Sequence, residues 1–291
     1  MKIAFLGLGN MGYPMAGHLA EKFSDEYAIA VFNRSHEKAL AWQAKHPGWA
    51  LTLSEAVADA DVILMCLGRD EDVLSIVESA AFYQQLKPGA IVIDHTTTSA
   101  QLSQHVCAFL QPYQAAFIDA PVSGGVDGAN NACLSAMVGG DAAIIDKVKP
   151  LLAAYCQQIT HIGGVGSGQL CKMVNQICIA GVLSGLSEGL TFAKAQGIDA
   201  NKVLTAISQG AAQSWQMQNR GQTMLERQFD FGFAIEWFIK DLGYCLAQAQ
   251  ATQTPLPATA STFEQFQAIA ESAARLDTSA LITYYDGLSH S

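Results

Sequence analysis

The stretch KIAFLGLGNMGYPMAGHLAEKF, residues 2–23, decides how the first half of this 291-residue chain is read. KIAFL is strand-like, the residues from Met11 onward are helical, and Gly7, Gly9 and Gly12 stand between them in the spacing G-x-G-x-x-G. In such a loop the first glycine permits a tight turn, the second lets backbone approach a pyrophosphate, and the third lets the helix pack on the strand. The helix N-terminus adds N–H groups and a positive dipole end for phosphate. Strand, glycine loop and helix in this order point to a dinucleotide held by Gly7, Leu8, Gly9, Asn10, Met11 and Gly12. The stretch superficially resembles a secretory leader, but its glycines and Asn10 interrupt the apolar part, so it is read as mature structure.

Outward from that loop, further apolar runs recur with helical segments between them: AIAVF (28–32), DVILMCL (61–67), AIVID (90–94) and AFIDAPV (116–122). This alternation predicts a doubly wound parallel sheet of the Rossmann type. CLSAMVGG (133–140), DAAIIDKVKPLLAAY (141–155) and ITHIGG (159–164) predict a last strand, helix and strand that close it. Beyond Gly168 helical periodicity takes over, with breaks at Gly197, Gly210, Gly232 and TPLP (254–257). The expected fold class is therefore α/β, a Rossmann domain over 1–163 followed by an all-α substrate and dimerisation domain over 164–291. One long helix, from about Ser167 to Gln196, joins them. Its small residues Ala180, Gly181, Ser184, Gly185 and Gly189 suit close packing, and it is expected to be buried all round.

Composition limits the function classes. Sixteen basic against 26 acidic residues give a formal charge of −10 with no basic run, which excludes a nucleic-acid or anionic-membrane surface. The apolar run from Ile177 to Leu190 contains Ser184, Ser187 and Glu188 and is too short and polar for a membrane span. Half of the residues are hydrophobic and 14% are charged, so burial is expected to include contacts between subunits, as a homodimer or homotetramer built after Gly168. Cysteines 66, 107, 133, 156, 171, 178 and 245 show no CxxC pair or metal spacing, and read as buried reduced thiols of a cytoplasmic protein with no metal.

Two local features bear on chemistry. At the end of the second strand an Asp or Glu would accept hydrogen bonds from ribose hydroxyls, but the sequence has FNRS. Asn33 is neutral, Arg34 offers a planar guanidinium suited to a 2′-phosphate, and Ser35 adds a donor, so the expected cofactor is NADP(H) rather than NAD(H). Further on, Lys172 stands near the start of an otherwise apolar helix, with no acidic residue within helical reach.

GLGNMG (7–12), DAPVSGG (119–125), GSGQLCKMVNQ (166–176) and KDL (240–242), in this order, resemble the β-hydroxyacid dehydrogenase family, which includes 3-hydroxyisobutyrate dehydrogenase and the semialdehyde reductases. The resemblance spans essentially the whole chain. It implies that Lys172 is the catalytic acid/base beside the nicotinamide, and the chemistry supports this independently. Hydride transfer to an aldehyde develops an alkoxide that an ammonium can stabilise and protonate. It further implies that Ser123, Gly124 and Gly125 cradle the substrate carboxylate, and that Asn175 or Gln176, three and four residues after Lys172, orients the substrate. Lys240 would reach cofactor and substrate with Asp241 beside it. Leu67 and Gly68 would line the cofactor, though relatives usually carry Pro where this chain has Gly68. Thr97 matches a position beside the nicotinamide, with Thr96 a nearby alternative.

The implied substrate is a small carboxylate-bearing aldehyde or hydroxyacid, such as glyoxylate, succinic semialdehyde, tartronate semialdehyde or 3-hydroxyisobutyrate. A 6-phosphogluconate dehydrogenase type would need several basic groups for a sugar phosphate, and its usual KxxHN stands here as KMVNQ. Lys172, Ser123 and Lys240 together argue against a non-catalytic NADP-binding module. Trp215, Phe231 and Phe233 are candidates for shaping the pocket, or for the core.

Overall fold

The computed structural model describes residues 1–288. Its first part runs β1 (Lys2–Leu6), α1 (Gly12–Phe23), β2 (Ala28–Phe32), α2 (His36–Gln43), β3 (Trp49–Ala50), α3 (Leu53–Val57), β4 (Val62–Met65), α4 (Asp70–Val77), α5 (Ala80–Tyr83), β5 (Ile91–Asp94) and α6 (Ala100–Leu110). There follow β6 (Ala116–Asp119), β7 (Val122–Ser123), α7 (Gly125–Asn130), β8 (Leu134–Gly139), α8 (Ala142–Leu152) and β9 (Cys156–Gly163). The helical part comprises α9 (Ser167–Ala195), α10 (Ala200–Ile207), α11 (Trp215–Leu225), α12 (Ile235–Thr252), α13 (Pro257–Ala273) and α14 (Ile282–Leu288). The chain forms two compact units that meet between Lys172 and Met173, inside α9.

In the first unit the strand order is β3-β2-β1-β4-β5-β6, all parallel. The order reverses between β1 and β4, and a crevice opens outside the carboxyl ends of strands at such a switch point. Alternation along β1 explains its central place. Ile3 and Phe5 join one core with Met15 and Leu19 of α1, while Ala4 and Leu6 join another with Val73 and Val106. Both faces are thereby covered, as a parallel sheet requires.

The sheet is not parallel throughout. AFIDAPV divides into β6 and β7 at Pro121, which has no N–H to continue a ladder. β8 is antiparallel to both, and β9 then runs parallel to β8. The ten residues between Ser123 and Leu134 fall short of the dozen or more that a parallel crossover needs.

The second unit is helical. Leu183, Leu186 and Leu190 of α9 pack with Phe238 and Leu242 of α12 and Phe266 of α13. The Phe238 and Phe266 rings meet edge to face at 5.1 Å. Contrary to expectation, α9 is not buried all round. Val174 is 60% and Phe192 64% exposed, and Gly181, Gly185 and Gly189 lie on the exposed side. The whole helix is also long and apolar enough to cross a membrane, which the run 177–190 alone is not. Its inner face packs as a core helix does. The cysteines, none of which forms a disulfide, are likewise not uniformly buried: Cys156 and Cys245 are, whereas Cys133 and Cys178 are exposed.

Two buried ionisable side chains end β5. Asp94 accepts a hydrogen bond from the Thr96 N–H, yet burial pushes its carboxyl up to about 7, with Asp119 and Asp70 adding to the effect. His95 sits with Nδ1 on the Ala120 carbonyl and Nε2 on the Tyr155 hydroxyl, and burial draws its pKa down to about 4. Folded Asp94 thus keeps a proton that the unfolded chain releases above its ordinary 3.8. Its contribution to stability is full in acid and is lost as pH rises through about 7. The contribution of His95 is full above its ordinary 6.5 and is lost as pH falls through about 4. Asp94→Asn retains an acceptor for Thr96 and removes only the first dependence. Relative to wild type it should therefore be more stable at pH 8 than at pH 5, read as urea midpoints, and a difference independent of pH would contradict the assignment.

Candidate active site

The glycine loop closes as its spacing requires. Gly7 has φ +98°, and a Cβ there would collide with the Cys66 carbonyl. A Cβ on Gly12 would collide with the Gly7 carbonyl, so the start of α1 rests directly on the turn. Gly9 meets the opposite condition: a Cβ there would have nothing within 4 Å. The first turn of α1 carries no side-chain cap and no acidic residue. An open glycine backbone beside an uncapped helix N-terminus fits a dinucleotide pyrophosphate.

Asn33 braces this loop. Its Oδ1 accepts from the Leu8 N–H at 2.9 Å, and its Nδ2 donates to the Ser35 carbonyl at 3.0 Å. Arg34, by contrast, extends into solvent, its nearest ion-pair partner being Asp72 at 3.5 Å. At the next strand ends, the Leu67 N–H donates to the buried Thr96 hydroxyl at 2.9 Å, which ties the loop at Leu67 and Gly68 to that at Thr97. Thr97 is the less buried of the two threonines.

Ser123 ends β7, which pairs with Ser135 of β8. Gly124 and Gly125 follow with φ of +131° and +62°, a backbone path that side chains resist. Both are exposed. Lys172 is 8% exposed, and its Nζ donates to the Val122 carbonyl at 2.9 Å. The ammonium therefore stands against the residue that precedes Ser123.

In the second unit a chain of polar contacts links the other expected residues. Asn175 Nδ2 donates to Gln176 Oε1 at 2.8 Å, and Gln176 Nε2 donates to Asp241 Oδ2 at 2.6 Å. Lys240 Nζ lies 3.2 Å from the other Asp241 oxygen and near the rings of Trp237 and Tyr244. That lysine contact is an ion pair lacking the alignment of a hydrogen bond. Asp241 thus holds Gln176 and Lys240. Nearby in sequence, Arg220 lies 4.1 Å from the Phe231 ring and 5.0 Å from that of Trp215, with Asp277 at 3.5 Å. Nothing in the sequence singles out this arginine, because Phe231 and Asp277 are brought to it from other segments. Trp215 itself is exposed, and Phe233 packs edge to face on Phe238.

Sheet order and glycine loop define a dinucleotide-binding protein. Residues 2–163 match the model of the NAD-binding domain of 6-phosphogluconate dehydrogenase, and residues 166–285 match that of the NAD-binding region of NADP-dependent 3-hydroxyisobutyrate dehydrogenase. An uncharacterised oxidoreductase of Shewanella frigidimarina is 46% identical, over 97% of both chains. The 2-hydroxy-3-oxopropionate reductase of Escherichia coli is 34% identical, over 97% of this chain and 96% of its own. The structure of Mycobacterium tuberculosis 3-hydroxyisobutyrate dehydrogenase with L-serine superposes with a TM-score of 0.88 at 29% identity, covering 98% of both chains. The chain belongs to the 3-hydroxyisobutyrate dehydrogenase family of β-hydroxyacid dehydrogenases, as an oxidoreductase with an NAD(P)-binding domain.

The two glycines of the loop should separate folding from binding. Gly9→Ala is expected to change stability by no more than about 0.5 kcal/mol while weakening dinucleotide binding at least about tenfold, roughly 1.4 kcal/mol, in calorimetric titration. Gly12→Ala should instead lower stability by about 1–3 kcal/mol or more through overpacking. Equal loss of stability in both variants would remove the distinction.

Proposed function

We propose that this chain transfers a hydride between NADP(H) and a small β-hydroxyacid, semialdehyde or 2-oxoacid, with Lys172 as general acid and base. The observation that carries this reading is the buried Lys172 ammonium, held on the Val122 carbonyl directly before Ser123, Gly124 and Gly125. The nicotinamide, when bound, supplies or accepts the hydride. In reduction, Lys172 gives its proton to the substrate oxygen as negative charge develops there, and in oxidation its neutral amine takes that proton back. The Ser123 hydroxyl and the N–H groups of Gly124 and Gly125 hold the substrate carboxylate. Asn175, Gln176 and Lys240 serve substrate and cofactor, with Asp241 holding Gln176 and Lys240 in place. Thr97, Leu67 and Gly68 line the nicotinamide side.

The substrate class is supported by the relatives: 2-hydroxy-3-oxopropionate and L-serine are both three-carbon acids that carry oxygen at C3. Preference for NADP(H) rests on Arg34, whose extended guanidinium suits a 2′-phosphate. One experiment tests these assignments together, with the four candidate substrates and both cofactors followed by nicotinamide absorbance. Lys172→Met should lower single-turnover rate at least about 10²-fold with cofactor affinity kept. Arg34→Ala should weaken NADPH by about 1.5–3 kcal/mol and leave NADH nearly unchanged. Activity of Lys172→Met within tenfold of wild type would remove the lysine from the mechanism, and equal loss of both cofactors would make Arg34 structural. Binding without turnover across the panel would favour a non-catalytic module.

A second copy of the chain is the occupant we assign to the exposed face of α9. Val174, Val182 and Phe192 stand there with Gly181, Gly185 and Gly189, spaced to let another helix approach closely. Light scattering should read a dimer or tetramer at micromolar concentration, and a monomer would refute this.

A further inference from the structure

We propose that Asp119 is a positioning residue whose carboxylate seats the first turn of α9 on the end of β6 and so fixes where Lys172 stands. The proposal rests on Lys172 being the acid/base. Asp119 is the last residue of β6 and is fully buried. Its Oδ1 accepts from the Gly166 N–H at 2.7 Å, and its Oδ2 accepts from the Gln169 N–H at 2.9 Å. The first N–H groups of a helix have no partner within it and ordinarily bond to water or to a residue just ahead in the chain. Here a strand residue from far earlier in the sequence takes that part, so the capping bonds also dock the helix.

The glycines around the carboxylate are independent evidence for this docking. A Cβ on Gly168 would lie 2.8 Å from Asp119 Oδ2 and 2.5 Å from the Met137 carbonyl. A Cβ on Gly139, the β8 partner of Asp119, would lie 2.5 Å from Asp119 Oδ1 and 2.8 Å from the Gly168 nitrogen. Side chains are thus excluded on both flanks of the carboxylate. Gln169 adds a second tie, donating from Nε2 to the Thr96 carbonyl at 2.7 Å and accepting at Oε1 from the Thr98 N–H at 3.0 Å.

These contacts close a circuit. Asp119 holds residues 166–169, the helix carries on for three residues to Lys172, and Lys172 Nζ returns to the carbonyl of Val122, itself three residues after Asp119. Both the ammonium and the PVSGG loop are therefore referred to one carboxylate. The arrangement works against burial, which raises the Asp119 carboxyl above its usual range while the N–H bonds pull it back. An apolar side chain would avoid that penalty but could not accept the helix N–H groups.

The test compares Asp119→Asn and Gly168→Ala with Lys172→Met in the full-length enzyme, using NADPH and the best aldehyde of the panel. Asp119→Asn gives up the anionic acceptor, and Gly168→Ala keeps it but pushes the helix start away. Both should retain NADPH affinity within about threefold and show faster amide exchange confined to the start of α9. Their kcat should fall at least about tenfold, because misplacement by about 1 Å can remove up to 10²-fold. The limb of the pH profile that Lys172→Met abolishes should be displaced. Activity that merely tracks the folded fraction, or unchanged exchange with an unmoved pH profile, would overturn the proposal. If Asp119→Asn does not fold, Gly168→Ala decides by the same readings. An active Lys172→Met would sink the assignment of the lysine, and amide exchange would still report separately whether Asp119 seats the helix.

Discussion

The carbonyl of Gly7 lies so close to the α-carbon of Gly12 that no side chain fits between them, and the geometry of the nucleotide-binding unit follows from that contact. It brings the start of α1 onto the end of β1, where the strand order reverses, and leaves the backbone at Gly9 open. Asn33 then fixes the loop from the side by accepting from Leu8. The same device recurs at the other end of the unit, where Gly139 and Gly168 let the start of α9 close on Asp119. In each case a missing side chain lets the helix start come close, and the groups with chemistry to do stand beside the contact.

Much of this was legible in the chain because it depends on local pattern. Apolar runs and glycine spacing suffice for the strands that flank β1, and the switch from period-two runs to helical periodicity after Gly168 marks the helical half. Antiparallel β8 was not legible, since its direction follows from the length of a connection that contains a short helix. β3 has only two residues, Trp49 and Ala50, too few for any periodicity. The exposed face of α9 was missed for a different reason. A helix rich in apolar and small residues has the same composition whether one of its faces is covered or exposed.

The candidate site divides in the same way. Lys172, Ser123 and the glycine loop announce themselves by residue type in an unusual setting. Asp119 and Gln169 stood in quoted motifs without a role, because what they do depends on groups brought to them by the fold. Asp241 stands beside Lys240 in the sequence, and the contact of its carboxylate with Gln176 appears only in the fold. A sequence can show that a polar residue is present, but its partners are a property of tertiary structure. Asp94 and His95 carry the lesson further, because adjacent residues have pKa values moved in opposite directions by the same burial.

The strand order also has a consequence for how the protein is made. β1 leaves the ribosome before the other strands of its sheet and lies between β2 and β4 in the finished fold. Its pairing with β2 can form early, but its other edge waits for β4, which begins only at Val62. Through that interval the nascent chain carries an apolar edge with open backbone donors and acceptors, the kind of surface that invites pairing with another chain. The connection through α2, β3 and α3 therefore sets how long that edge stays exposed to misassembly, and lengthening it would prolong the exposure without altering the finished strand order.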